Sequence, residues 1–302
     1  MNNRITYIDY VKTIGIFLVV LGHQPITNIT LHDWIFSFHM PLFFFISGFL
    51  VKAELDNKKF FKNNLRSLIV VILPYFIISL VFGAVQDYVF YREDFSLQHN
   101  LTEKMERTFL GQSKMGVMWF LVALFWMRIA YNWGLQLVKE HTYGVLFIMS
   151  IIVATIAHTC DMKMNYYQIT AFILGFPFYC CGALMKRINF IETIRLRKYA
   201  IPFSIFFLSA SVLILKYAGS INLNDLDIGN NIVLYYLSGI TGTLFIIAFG
   251  LLLPKNRIIE TISSGTLVIL GLHMMLIQIF KLFYKKILHI HSTPPIWIVY
   301  QQ

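Results

Sequence analysis

Apolar residues fall along this chain in long blocks separated by short polar stretches. Blocks of roughly 16 to 25 residues, enough to cross about 30 Å of hydrocarbon as a helix, recur at 7–24, 33–51, 67–91, 115–138, 143–158, 168–185, 199–218, 232–253 and 263–284. The run at 143–158 is the shortest. A tenth, "PPIWIVYQQ" at 294–302, ends before it could cross, so the last helix is expected to be truncated or never to span. The pattern predicts an all-α, polytopic transmembrane bundle of about nine to ten helices. Residues 1–302 read as a single membrane-embedded domain, with no soluble appendage, low-complexity tail or short-period repeat.

Composition agrees, since 57% of the 302 residues are hydrophobic and 13% charged, outside the range of a soluble globular domain. The first block is not read as a cleaved signal peptide. Asp9 and Lys12 stand at its entrance, and the "GHQPITN" that follows lacks a small-residue cleavage pattern. Cys160, Cys180 and Cys181 show neither a pairing pattern nor metal-ligand spacing, so they read as packing residues and no metal is expected. The net charge of +10 is better explained by membrane orientation than by nucleic acid. When alternate loops are summed, the N-terminal side holds fifteen Lys and Arg and the opposite side nine, many of the latter offset by acids. The N-terminus is therefore expected in the cytoplasm and the loop at 91–114 outside.

Ionisable groups inside spans are costly unless paired or facing a cavity, which makes them functional candidates. In "IDYVKTIGIFLVVLGH" the residues Asp9, Lys12 and His23 share a helix face, with Lys12 and His23 about 20° apart around the axis and roughly 16 Å apart along it. The second block returns from outside, so His39 in "FHMPLFFFISGFL" enters at a similar depth to His23. Pro41 removes a backbone donor and is expected to open the preceding turn, and "ISG" at 46–48 admits a close neighbouring helix. Against these stand blander readings. A histidine near a helix end is often only interfacial, Asp9 and Lys12 suit a helix-start ion pair, and the Phe43–Phe45 cluster suits packing. Trp119 fits an interfacial belt, whereas Arg128 and His273, near mid-span, need partners or water.

There is no nucleophile elbow, P-loop, zincin motif or paired carboxylate within the spans. What remains is histidine with charges deeper in, a set suited to general-base or nucleophilic acyl transfer, and a cationic mouth would suit a phosphate-bearing donor. "YIDYVKTIGIFLVVLGH" followed by "FSFHMPLFFFISGFL" resembles the two opening helices of the integral-membrane acyltransferase type 3 family, which includes O-acetyltransferases of bacterial surface polysaccharides. "MWFLVALF" at 118–125 is also similar.

The resemblance implies an O-acetyltransferase of the cell envelope, multi-pass in the bacterial inner (plasma) membrane. It would take acyl-CoA, by default acetyl-CoA, from the cytoplasm and pass the acyl group to a sugar or glycan hydroxyl on the far side. It makes His23 the catalytic imidazole, matches His39 to the second-helix histidine and Asp9 to the acid before the basic residue, and has Lys12 and Arg66, with neighbouring lysines such as Lys62, hold the donor. Trp119, Arg128 and His273 would line a substrate channel. Membrane lipid, the donor and the glycan acceptor are the expected partners. Lys12 stands where the family more often has arginine, and Asn63 where the first arginine of an R-x-x-R pair would be.

Two other classes compete. A proton-coupled transporter would use the same intramembrane His, Asp and Lys, but no second copy of "FHMPLFF" marks an inverted repeat. A haem protein would use His23, His39 or His273 as axial ligands.

Overall fold

The computed structural model describes residues 5–24, 28–52, 54, 56–73, 119–138, 143–164, 166–189 and 198–288, with isolated positions at 77, 81, 102 and 105. Among them lie ten α-helices: α1 (Thr6–Gly22), α2 (Ile29–Leu50), α3 (Asn57–Ser67), α4 (Trp119–Val138), α5 (Tyr143–Thr159), α6 (Ile169–Arg187), α7 (Ala200–Ala218), α8 (Ile232–Leu252), α9 (Arg257–Ser264) and α10 (Thr266–Leu288). The all-α expectation holds. Four stretches are long and apolar enough to cross a bilayer unaided, namely α2, Tyr166–Arg187, α7 and α8, and a fifth is possible if α9 and α10 count as one span, bent by 73°. The expected block at 67–91 falls mostly, and that at 294–302 wholly, outside the described residues.

Short polar signals set the helix starts. Asn28, Asn231 and Asn256 each accept a hydrogen bond from the backbone N–H two residues on, beginning α2, α8 and α9. Asp56 does the same for Lys58 and Lys59 at the start of α3. The hydropathy pattern leaves this segment as a polar connector between the blocks at 33–51 and 67–91. The helix exists because Phe60 packs into the protein while Lys58, Lys59, Lys62 and Arg66 stay exposed, which makes it amphipathic.

Packing fixes the relative directions. Gly15 of α1 lies against Leu42 and Phe43, and Gly22 against Ile35 and Phe36, so α1 and α2 are antiparallel. A Cβ added to Gly48 would strike the carbonyl of Tyr179, and one on Gly182 the carbonyl of Phe45. The "ISG" stretch thus gives the close approach expected of it. Gly175 lies against Phe44 and Lys186 reaches the Val51 carbonyl at 3.3 Å, so contacts advance together along both helices and α2 and α6 run the same way, as alternation requires of the second and sixth blocks.

α2 continues through Pro41 with no break. The proline is buried, and Gly239 packs close to it, a Cβ added there coming within 3.0 Å of Pro41 and striking the ring of Phe178. Tertiary contact therefore holds the helix where the missing N–H would weaken it. Two apolar clusters result. One joins α2, α4 and α6 around Phe44, Trp119 and Phe178, and the other joins α1, α2 and α8 around Val11, Phe38 and Ile246.

Candidate active site

α1 ends at Gly22, and His23 is its C-terminal cap. Antiparallel packing brings this cap to the first turns of α2, where the ring of Phe36 becomes a hub. The His23 ring meets it edge-on at 5.4 Å between centres, His39 meets it at 4.8 Å, and His32 stacks on it at 4.0 Å. From the other side, α10 brings His273 to within 5.3 Å of His23, ring centre to ring centre. Three imidazoles thus gather about one phenyl ring, and a fourth, from α10, joins them through His23. His39 and His273 are each 3% exposed.

The backbone assigns protons to two of these rings. His39 Nδ1 lies 2.9 Å from the Ile35 carbonyl, and His273 Nδ1 lies 2.9 Å from that of Leu270 and 3.2 Å from that of Ile269. A carbonyl only accepts, so each Nδ1 carries the hydrogen, and Nε2 of the neutral ring holds the lone pair. Each histidine is thereby fixed by the preceding turn of its own helix. Further out, His32 Nδ1 is 3.1 Å from Asp33 Oδ1, in a half-exposed pair.

The other end of α1 is tied to the chain around α9. Tyr10 donates its hydroxyl to the Pro254 carbonyl at 2.6 Å, Thr13 donates to that of Ile259 at 3.2 Å, and Ser263 donates to Asp9 Oδ1 at 2.6 Å. Asp9 is buried, and a short hydroxyl–carboxylate bond is the strong, charge-assisted kind. Lys12, half-buried, sits one turn on. Because α1 is unbroken from Thr6 to Gly22, Lys12 and His23 keep the roughly 16 Å separation expected of eleven helical residues.

Of the residues singled out from sequence, His23, His39 and His273 come together. Asp9 and Lys12 share the far half of the same helix. Lys62 and Arg66 project from α3 and are exposed. Trp119 is buried, its ring 6.4 Å from those of Phe44 and Phe120, and so packs within the α2–α4 seam. Arg128 is exposed on α4, within electrostatic reach of Tyr179. Sequence reasoning missed His32, Phe36 and Ser263. His32 and Phe36 lie at i−7 and i−3 from His39, a helical spacing that places all three on one face and was available as a signal. Cys180 and Cys181 are buried in α6 as packing residues, whereas Cys160 is exposed.

A cavity of about 410 Å³ opens between α2 and α7, lined by Leu31, Trp34, Leu208 and Val212 among others and by none of the imidazoles. Among the described residues no group of His, Cys, Asp and Glu is arranged to hold a metal. A family model described as an acyltransferase domain matches residues 5–300. No curated protein and no solved structure matches the chain.

Proposed function

The chain belongs to the acyltransferase type 3 family and is a multi-pass membrane acyltransferase; from that premise we propose that it O-acetylates a sugar or glycan outside the cytoplasm, using cytoplasmic acetyl-CoA and His23 as the catalytic imidazole. The observation that carries this reading is the convergence of His23, His39 and His273 at one end of α1, with Lys12 one arm's length below. A thioester on an extended pantetheine arm matches the roughly 16 Å rise. Lys12, Lys62 and Arg66 then hold the phosphates, and the acyl carbon meets the imidazole cluster without the donor crossing the membrane.

His23 takes the proton of the acceptor hydroxyl as its oxygen attacks the thioester carbon, and returns a proton to the departing thiolate. His39, with Nε2 as its open nitrogen, orients the acceptor or stabilises developing charge. Asp9, held by Ser263, fixes the N-terminal half of α1 and with it Lys12. The excess of Lys and Arg on alternate loops supports an inner-membrane protein with its N-terminus in the cytoplasm.

The test is incorporation of labelled acetyl from acetyl-CoA into envelope glycan by membranes carrying the wild type, His23→Ala or no protein. Label that needs the wild type and disappears in the variant is the expected result. Equal label in all three, with the protein shown to be inserted, would defeat the proposal.

A further inference from the structure

Among the described residues, Asn132 Oδ1, Tyr235 OH, Thr243 Oγ1 and His273 Nε2 are buried without a hydrogen-bond partner, and the last belongs to the ring that lies against His23. Nε2 of His273 is fully enclosed and has no hydrogen-bond partner, although Nδ1 of the same ring is fixed by the carbonyls of Ile269 and Leu270. An unpaired buried acceptor is costly, and such a group in a site invites a role. The ring that it approaches is His23, 5.3 Å between centres with planes tilted by 40°. Two imidazoles joined by an N–H···N bond of about 2.9 Å have centres roughly 5 Å apart, so the rings already stand at bonding separation. The contact requires a ring N–H of His23 to be turned toward Nε2 of His273.

We propose that His273 is the positioning residue of the transfer reaction, its Nε2 accepting the ring N–H of His23. The inference rests on the acyl-transfer reading above. With one nitrogen of His23 committed as donor to His273, the other is held as the lone pair that faces the reacting groups. In the step itself, the acceptor O–H bond breaks and its proton passes to that lone pair. The acceptor oxygen forms its bond to the acyl carbon, the C–S bond breaks, and the proton moves on to the thiolate, leaving free CoA and the ester. Throughout, His273 holds the N–H of His23 and stabilises the imidazolium that exists in mid-reaction. It does so as a neutral base whose tautomer is fixed by α10, in the place where a carboxylate commonly orients a catalytic histidine. No carboxylate is needed at this depth, and a neutral ring costs far less to bury than a charged one.

The test compares full-length variants in membranes that carry their own envelope glycan, with labelled acetyl-CoA as probe. His273→Phe keeps an aromatic ring but has no acceptor, whereas His273→Gln keeps an acceptor oxygen at about the place of Nε2. The expected result is a roughly 100-fold lower maximal rate for His273→Phe, with the half-saturating acetyl-CoA concentration unchanged, and a rate for His273→Gln within about 10-fold of wild type. Wild-type rates in His273→Phe, or a His273→Gln as inactive as His273→Phe, would overturn the inference and leave a packing role. Should the phenylalanine variant fail to insert, His273→Asn replaces it, because its amide falls short of Nε2 and is expected to lose the rate that glutamine keeps. No labelling by wild type would instead overturn the acyl-transfer reading, and the positioning role with it.

Discussion

At one end of α1, His23 is surrounded by Phe36, His273 and, across the phenyl ring, His39. The basic helix α3 presents the opposite arrangement: Lys58, Lys62 and Arg66 recur every four residues, about 40° apart, as an exposed stripe. The first region consists of rings held by backbone carbonyls and aromatic contacts. The second consists of charges on long, mobile stems. Buried polar groups must be placed accurately because their partners are few, and such placement suits chemistry. Exposed cations act through summed potential and tolerate loose geometry, which suits capture of a charged donor. Single substitutions should therefore be severe and rate-specific in the first region, but graded and affinity-specific in the second.

The largest effect is expected for His23→Ala, with transfer at least ~1,000-fold slower, equivalent to about 4 kcal/mol of barrier, and donor binding nearly unaltered. A variant that instead lost donor affinity at a normal maximal rate would erase the distinction between the two regions.

Ser263→Ala asks whether the N-terminal half of α1 follows the buried or the exposed pattern. It removes the hydroxyl from a buried carboxylate, so a stability loss of about 1.5–3 kcal/mol is expected, read as an earlier thermal transition in detergent or nanodiscs. An unchanged transition would mean that Asp9 is satisfied without Ser263.

The comparison also explains what the sequence revealed. Opposed blocks with a histidine at facing depths were enough to put His23 and His39 at the same end of the helix pair, where both meet the ring of Phe36, because antiparallel helices joined by a short loop leave few other arrangements. The depth of His273 in its block marked it as a candidate but did not show its neighbour, since contacts between helices as far apart in sequence as α1 and α10 have no local signature. Phe36 was indistinguishable from a packing residue until three imidazoles were seen on its ring. Ser263 was missed for a related reason. Residues 254–262 have the length of a connector, and the helix α9 with its 73° bend into α10 depends on contacts with α1. α3 was legible and overlooked. Asp56 caps it, and Phe60, Phe61 and Leu65 have helical spacing, but the density of lysine suggested a solvated loop.

For the exposed stripe, the double change Lys62→Gln with Arg66→Gln is expected to raise the half-saturating acetyl-CoA concentration several-fold and leave the maximal rate alone. Each exposed contact contributes about 0.2–1 kcal/mol, and the effect should shrink as salt is added and the Debye length contracts. A maximal rate that fell with affinity unchanged would place the stripe in the chemistry and break the comparison from the other side.

The smallest effect tests the residue between the two regions. Lys12 is half-buried on the helix that also carries His23, and it stands where the family resemblance leads one to expect arginine. A lysine offers a point charge and an arginine a planar fork that can bind phosphate with two parallel hydrogen bonds. If Lys12 holds a phosphate of the donor, Lys12→Arg should lower the half-saturating acetyl-CoA concentration by about 2- to 5-fold, an effect of roughly 1 kcal/mol or less, with no change in maximal rate. If its task is only to balance Asp9, the larger guanidinium must fit a packed helix face with no phosphate to reward it, and affinity for the donor should stay the same while thermal stability drops. The two results separate a donor-binding lysine from a structural one. Only the first is consistent with a donor whose charged end is held one helix segment away from the ring that acts on its thioester.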